Sequence, residues 1–314
     1  CAWRVGRALV FIRQANRVDH GSGARETKRL GEGKRIAARD LHIKPLRNGA
    51  LRGLVDLLLP SACAVCRSLH RADADGIVCQ ACLARVVHLG WPQCTRCGQP
   101  RLSPSIPLPI EATPSGVIPP CRWCLRLLPT IRAVRSVCRM DEGTGAALVH
   151  ALKYDGWHAV ARPMARRMAR LEWPVDVMRE RSALVPVPLS STRRRERGYN
   201  QAEQLASALS AEWRIPVWTD ILERNRDTRS QVRLTPSERA SNVSGAFVAA
   251  GFARARLRGA HIMLVDDVIT TAATINACAQ ALADGGARII SCVTFGRAPE
   301  PGDRAVSDYD LLRN

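Results

Sequence analysis

The run His261-Ile-Met-Leu-Val-Asp-Asp-Val-Ile-Thr-Thr-Ala-Ala-Thr274 constrains the fold of this chain more than any other segment. Ile262 to Val265 is an unbroken apolar run, the pattern of a strand buried on both faces, as in parallel sheets covered by helices. Thr274 to Ala283 reads as the helix that follows. The turn between them carries chemistry. A helix start offers unpaired N–H groups and the positive end of the helix dipole, which suits Thr270, Thr271, Ala272, Ala273 and Thr274 to a phosphate. Asp266 and Asp267, at the carboxyl end of the strand, suit two adjacent sugar hydroxyls or a hydrated magnesium ion. Two aspartates alone are ordinary helix caps facing water. Joined to this strand and this turn, they describe a cradle for a ribose phosphate.

The second signal is four C-x-x-C pairs: Cys63 and Cys66, Cys79 and Cys82, Cys94 and Cys97, Cys121 and Cys124. The spacing lets two thiolates of one tight turn reach the same tetrahedral zinc, so eight ligands predict two structural sites. Sequential pairing is the simpler topology, and a cross-brace of first pair with third is the alternative. A redox C-x-x-C occurs once per thioredoxin-like unit, and iron–sulfur ligation uses other spacings. Cys1, Cys138, Cys278 and Cys292 are left over as non-ligands. So small a region has little apolar core, and metal binding supplies much of its folding free energy. Its role stays open between a structural knuckle and a nucleic-acid or partner surface. In the latter, Arg67, Arg71, Arg85, Arg96, Arg101, Arg122 and Arg126 are basic groups, with Trp91 and Trp123 as stacking groups or as core.

Length and charge set the frame. At 314 residues, 46% hydrophobic, the chain has room for two domains. No apolar stretch is long enough to span a membrane, and the first residues alternate arginine with apolar side chains unlike a secretory signal. A cytoplasmic location is expected. The formal charge of +19 suggests phosphate-rich partners. However, 43 arginines against 4 lysines is a skew that GC-rich codon usage also produces. Residues 1–50 hold nine arginines and three lysines against four acidic residues, with weak periodicity. They read as a disordered basic extension, either functional or extraneous. The expected organisation is this extension, a ribbon over 51–130, an α/β domain over 131–298 and a tail over 299–314.

After Cys124, strand and helix alternate: a strand over Ile131 to Arg139, helices over Gly145 to Lys153 and His158 to Leu171, a strand over Ser182 to Pro188, and a helix over Ala202 to Glu212. The segment Arg193-Arg-Arg-Glu-Arg-Gly-Tyr-Asn-Gln201 is expected as a donor-rich loop on the sheet edge that carries Asp266. A solvated charge run is the plain alternative. Leu222 to Phe247 is long and polar, the pattern of a lid, with Arg224, Arg226, Arg229, Arg233 and Arg239 facing an anion and a closing helix over Pro236 to Asn242.

The Asp266–Thr274 string resembles the phosphoribosyl-pyrophosphate (PRPP) loop of type I phosphoribosyltransferases, with Ala272 where that family usually has glycine. Thr270 stands where purine-salvage members place an acidic residue. The cysteine pairs, Ala151-Leu-Lys-Tyr-Asp-Gly156, Val185-Pro-Val-Pro188 with Arg197-Gly-Tyr-Asn-Gln201, Gln231, Glu238-Arg-Ala-Ser-Asn242 and the Asp266–Thr274 loop together resemble the ComF family. That resemblance implies a double zinc ribbon joined to a type I phosphoribosyltransferase-like parallel sheet flanked by helices. It also implies PRPP and magnesium as ligands, and a role in natural competence with single-stranded DNA and a DNA-uptake helicase or translocase as partners. Arg193, Arg194, Arg195 and Arg197, with Arg226 and Arg229 of the lid, are then the pyrophosphate candidates.

Members are often labelled amidophosphoribosyltransferases, which need a glutaminase domain around an N-terminal cysteine. Here Cys1 is followed by an arginine-rich segment and then zinc ligands, so glutamine-dependent amination is not expected. Two readings remain: a PRPP-binding module without turnover, and a transferase that joins ribose 5-phosphate to an unknown nitrogen nucleophile in nucleotide metabolism. A zinc ribbon in place of a base-recognising hood, together with Thr270 and Ala272, favours the module.

Overall fold

The alternating pattern after Cys124 resolves into four parallel strands in the computed structural model, which describes residues 61–70, 77–100, 121–140, 143–226 and 245–299. In chain order the elements begin with β1 (Ser61–Ala62), β2 (Leu69–His70), α1 (Gln80–Ala84), β3 (Ile131–Arg139) and α2 (Thr144–Tyr154). There follow α3 (Ala161–Ala169), α4 (Val175–Glu180), β4 (Arg181–Pro186), α5 (Ser191–Arg197) and α6 (Gln201–Trp213). The last are β5 (Leu222–Arg224), β6 (Phe247–Ala249), α7 (Arg254–Leu257), β7 (His261–Ile269), α8 (Ala273–Asp284) and β8 (Ile289–Arg297). The basic extension, the C-terminal tail, Arg71, Arg101, Arg229, Gln231, Arg233, Arg239 and the Pro236–Asn242 helix lie outside the described residues.

The strand order is β3-β8-β7-β4, parallel throughout. β7 is interior, which is why Ile262 to Val265 has no polar alternation: every one of those side chains is at 0% exposure. Ile262 and Leu264 face one core layer with β5, β6, α7 and α8. Met263 and Val265 face the other with α2, α3 and α6. Helix α3 presents Met164 and Met168, four residues apart, to that layer, both fully buried. Pro174 precedes the short α4, a helix the sequence pattern does not signal.

Both sheet edges are covered, as an exposed edge invites pairing with other chains. At β4, Leu184 N–H donates to Pro216 O, and Leu184 O accepts from Trp218 N–H. At β3, the cysteine-rich region does the same work: Leu89 N–H donates to Val137 O and Val134 N–H donates to Arg96 O. This region straddles the edge. Cys63, Val78, Cys82, Leu83 and Val86 join the α2–α3–α6 layer, whereas Cys94, Cys97, Trp123, Cys124 and Leu127 join the α8 layer.

Candidate functional site

Because all four strands are parallel, their carboxyl ends share one edge of the sheet, where ligands bind in open α/β folds. Asp266 and Asp267 are the sixth and seventh residues of β7, so the strand runs four residues further than the apolar run alone indicates. The turn to α8 is strained at one point. Ala272 sits in the left-handed region at φ +65°, ψ −5°, a conformation glycine adopts freely and alanine does not. The first turn of α8 receives no side-chain cap from Ala272. Beside it, the Thr271 hydroxyl is buried with no hydrogen-bond partner. A strained backbone, a buried donor and an uncapped helix start coincide at the residues expected to hold a phosphate.

The carboxylates differ. Asp267 is 4% exposed, and the Lys153 ammonium lies 2.8 Å from its Oδ2 as an ion pair. That contact is ionic rather than an aligned hydrogen bond, since the same Oδ2 lacks a hydrogen-bond donor. Asp266 accepts from Asp267 N–H at 2.8 Å. Burial, reinforced by the neighbouring Asp267 charge, pushes the Asp266 carboxyl up to about 8. Lys153, at the end of α2 on the adjoining side of the edge, is the site residue that sequence reasoning missed. Its signal was the Ala151–Gly156 string, which carries no role by itself.

The arginine-rich segment is a helix, not the expected loop. Ser190 caps it by accepting from Arg193 N–H at 3.3 Å, and Gly198 ends it at φ +77°. It buries no residue, so hydrophobic periodicity could not reveal it. It does follow β4 on the same edge as β7, as topology required. Arg194 pairs with Glu203 at 3.3 Å, Arg197 donates to Gln201 Oε1 at 3.0 Å, and Arg195 donates to Thr192 at 3.5 Å. The Gly198–Gln201 stretch turns inward. Tyr199 donates to Leu152 O, tying the turn before α6 to α2. Asn200 accepts from Ala202 N–H and donates to Val187 O, both at 3.0 Å, capping α6 and pinning the exit of β4. Of the lid arginines, Arg224 and Arg226 are described; Arg224 lies over the Phe247 ring at 5.3 Å.

The thiols gather in chain order: Cys63, Cys66, Cys79 and Cys82 in one cluster, Cys94, Cys97, Cys121 and Cys124 in the other. Pairing is sequential, not cross-braced. In the second cluster Sγ–Sγ separations of 3.2, 3.4 and 3.5 Å approach the roughly 3.8 Å edge of a tetrahedron with zinc–sulfur bonds of about 2.3 Å. Burial pushes the Cys124 thiol of this cluster up to about 11, so a set of thiolates there calls for a bound cation. No described cysteine is in a disulfide, and Cys138, Cys278 and Cys292 belong to the buried core. The clusters fit two structural zinc sites.

Three ribbon residues have a place the sequence left open. Trp123 is core at 3% exposure, stacked under Arg297 at 4.4 Å, whereas Trp91 is 67% exposed. Arg96 is not a surface cation: it donates to the carbonyls of Ile131, Cys124, Leu127 and Leu128. Arg135 of β3 answers it by donating to Thr95 O and Glu172 O, each at 2.8 Å. The ribbon is therefore bolted to the sheet by guanidinium–carbonyl bonds, and the described residues all fall within one compact unit.

Sheet, cradle and paired zinc clusters define a phosphoribosyltransferase-type domain with a double zinc ribbon along its edge. The Double zinc ribbon domain family matches residues 54–125, and the Phosphoribosyl transferase domain family matches residues 160–312. DNA utilization protein YhgH of Salmonella typhimurium is 31% identical over 247 residues, 74% of this chain and 96% of that protein. Competence protein F of Haemophilus influenzae is 34% identical over 134 residues, 43% of this chain and 55% of that one. Competence protein ComFC of Streptococcus pneumoniae is 33% identical over 113 residues, 36% and 47% of the two chains. The chain belongs to the ComF family. No helix of the described residues is long and apolar enough to cross a membrane.

Proposed function

We propose that this protein binds PRPP with magnesium at the carboxyl edge of its sheet and acts in the cytoplasm during natural competence, on incoming single-stranded DNA. The names of its relatives, competence protein F, ComFC and DNA utilization protein, support the second half. The observation that carries the first half is the strained turn at Ala272, with its unpartnered Thr271 hydroxyl beside the uncapped start of α8. In this reading the Thr270–Thr274 turn holds the 5′-phosphate through N–H and hydroxyl donors. Asp266 and Asp267 accept from the ribose hydroxyls, and Lys153 yields Asp267 to the sugar when it binds. Arg193, Arg194, Arg195 and Arg197 face the pyrophosphate, with Arg226 and Arg229 closing over it. Asp266, ionised only reluctantly in the free protein, gains most from a nearby cation, so the acidic pair fits a metal-bridged ligand. Magnesium, when bound, neutralises pyrophosphate charge.

A second reading, transfer of ribose 5-phosphate to a nitrogen nucleophile, is favoured by Lys153. In this reading its ammonium, 2.8 Å from Asp267 Oδ2, offers a cation beside the cradle to the negative charge that develops on the departing pyrophosphate, while the sugar becomes oxocarbenium-like. Calorimetric titration with PRPP and magnesium tests the common ground: the wild type binds, and Asp266→Asn plus Asp267→Asn loses binding. Retained binding in that double variant overturns the site. Pyrophosphate release in the presence of amines or bases decides for turnover, and binding without release decides for the module.

A further inference from the structure

Resting on the reading that the protein acts on single-stranded DNA, we infer that the DNA lies across an aromatic and basic surface joining the first zinc knuckle to the arginine helix α5. The surface centres on the last turn of α2. Tyr154 is 64% exposed. The Arg197 guanidinium lies 4.9 Å from the ring centroid, and the His150 ring is tilted at 45° with its centroid 5.0 Å away. From the ribbon, Arg67 follows Cys66 in a left-handed turn at φ +61°. It reaches Asp155 at 3.6 Å and lies 5.8 Å from the Trp157 ring. Two rings thus lie between guanidinium groups from ribbon to helix: Arg67, then Trp157 and Tyr154, then Arg197 and the exposed Arg194.

Rings flanked by cations are the chemistry single strands demand, with aromatic groups for bases and guanidinium groups for phosphates. A protein partner would call for a contiguous apolar patch depleted of charge, and here a guanidinium lies against each ring. The neighbouring acids Asp155, Glu196 and Glu203 are outnumbered by Arg67 and the four arginines of α5. Asp155 also serves the surface by holding Arg67 at 3.6 Å and His150 at the same distance. The inference gives the ribbon and the α/β domain one shared ligand, which neither offers alone.

The test is fluorescence anisotropy of a labelled oligothymidylate on the full chain across a salt series, with PRPP titration run in parallel. Tyr154→Ala is expected to weaken DNA binding about 10-fold or more, the loss of one stacked base, while Tyr154→Phe keeps it. Arg67→Ala is expected to flatten the slope of log affinity against log salt by about 0.7, one phosphate contact. PRPP binding stays at the wild-type level in all three. Wild-type DNA affinity in both Tyr154→Ala and Arg67→Ala overturns this surface and leaves the competence reading standing. Equal loss in Tyr154→Phe, or loss of PRPP binding alongside, also overturns it. A wild type that binds no oligonucleotide overturns the reading itself.

Discussion

Ala272 holds a φ of +65° that its Cβ disfavours, directly where a phosphate is expected. Ala272→Gly relieves that strain, offset in part by a freer unfolded chain. It is expected to raise stability by about 0.5–1 kcal/mol, read as a higher urea midpoint, with PRPP affinity equal or tighter; a lower midpoint would contradict the strain. Asp266 supplies a pH dependence. Its unfolded carboxyl titrates near 3.9, and in the fold it is pushed up to about 8. The folded state therefore holds the extra proton between those values, and this contribution to stability falls as pH rises through that window. Affinity for PRPP with magnesium runs the other way and increases toward about pH 8, because the ligand selects the carboxylate. Asp266→Asn is expected to raise the melting midpoint at pH 8 by roughly 2–4 °C, the effect of about 1 kcal/mol in a chain of this size, while abolishing PRPP binding. A midpoint that drops at pH 8 would show that the charge is already compensated. The aspartates were legible in the sequence, but their inequality was not, because it depends on Lys153 reaching one and not the other.

At the scale of elements, β7 and α8 were legible because one segment supplied apolar run, turn and helix consecutively. Helix α5 was not: seven polar residues bury nothing, and a helix without an apolar stripe leaves no period to read. Its cause is local capping by Ser190 and Gly198. The ribbon's attachment is also element-scale, and it yields two expectations. Metal analysis of the purified protein should give two zinc ions per chain, with Cys97→Ser lowering stability more than Cys66→Ser. Cys97 is fully buried and its carbonyl accepts from Arg297, whereas Cys66 is exposed. Arg96→Met leaves four carbonyls without their donor and is expected to cost about 2–4 kcal/mol in chemical denaturation, within the range for unmade buried bonds; an unchanged midpoint would mean that water replaces the guanidinium.

For the whole molecule, the ribbon is part of the sheet's architecture and not an appendage. It covers the β3 edge and contributes to both core layers. A chain beginning at residue 130 is therefore expected to aggregate on size-exclusion chromatography, since it exposes an edge strand and two apolar surfaces; a stable monomer would refute that role. The sequence by itself determined what consecutive residues encode: two zinc-binding quartets of thiols, a buried strand feeding a hydroxyl-rich turn, and a parallel α/β class. Spacing along a chain sets which ligands share a turn and which backbone groups face a phosphate. Only the tertiary structure decided that the quartets pair sequentially, that Trp123 is core and Trp91 is exposed, that Arg96 is turned inward, and that Lys153 sits on Asp267. Those outcomes depend on which distant segments meet at one sheet edge, and on how much water their meeting excludes.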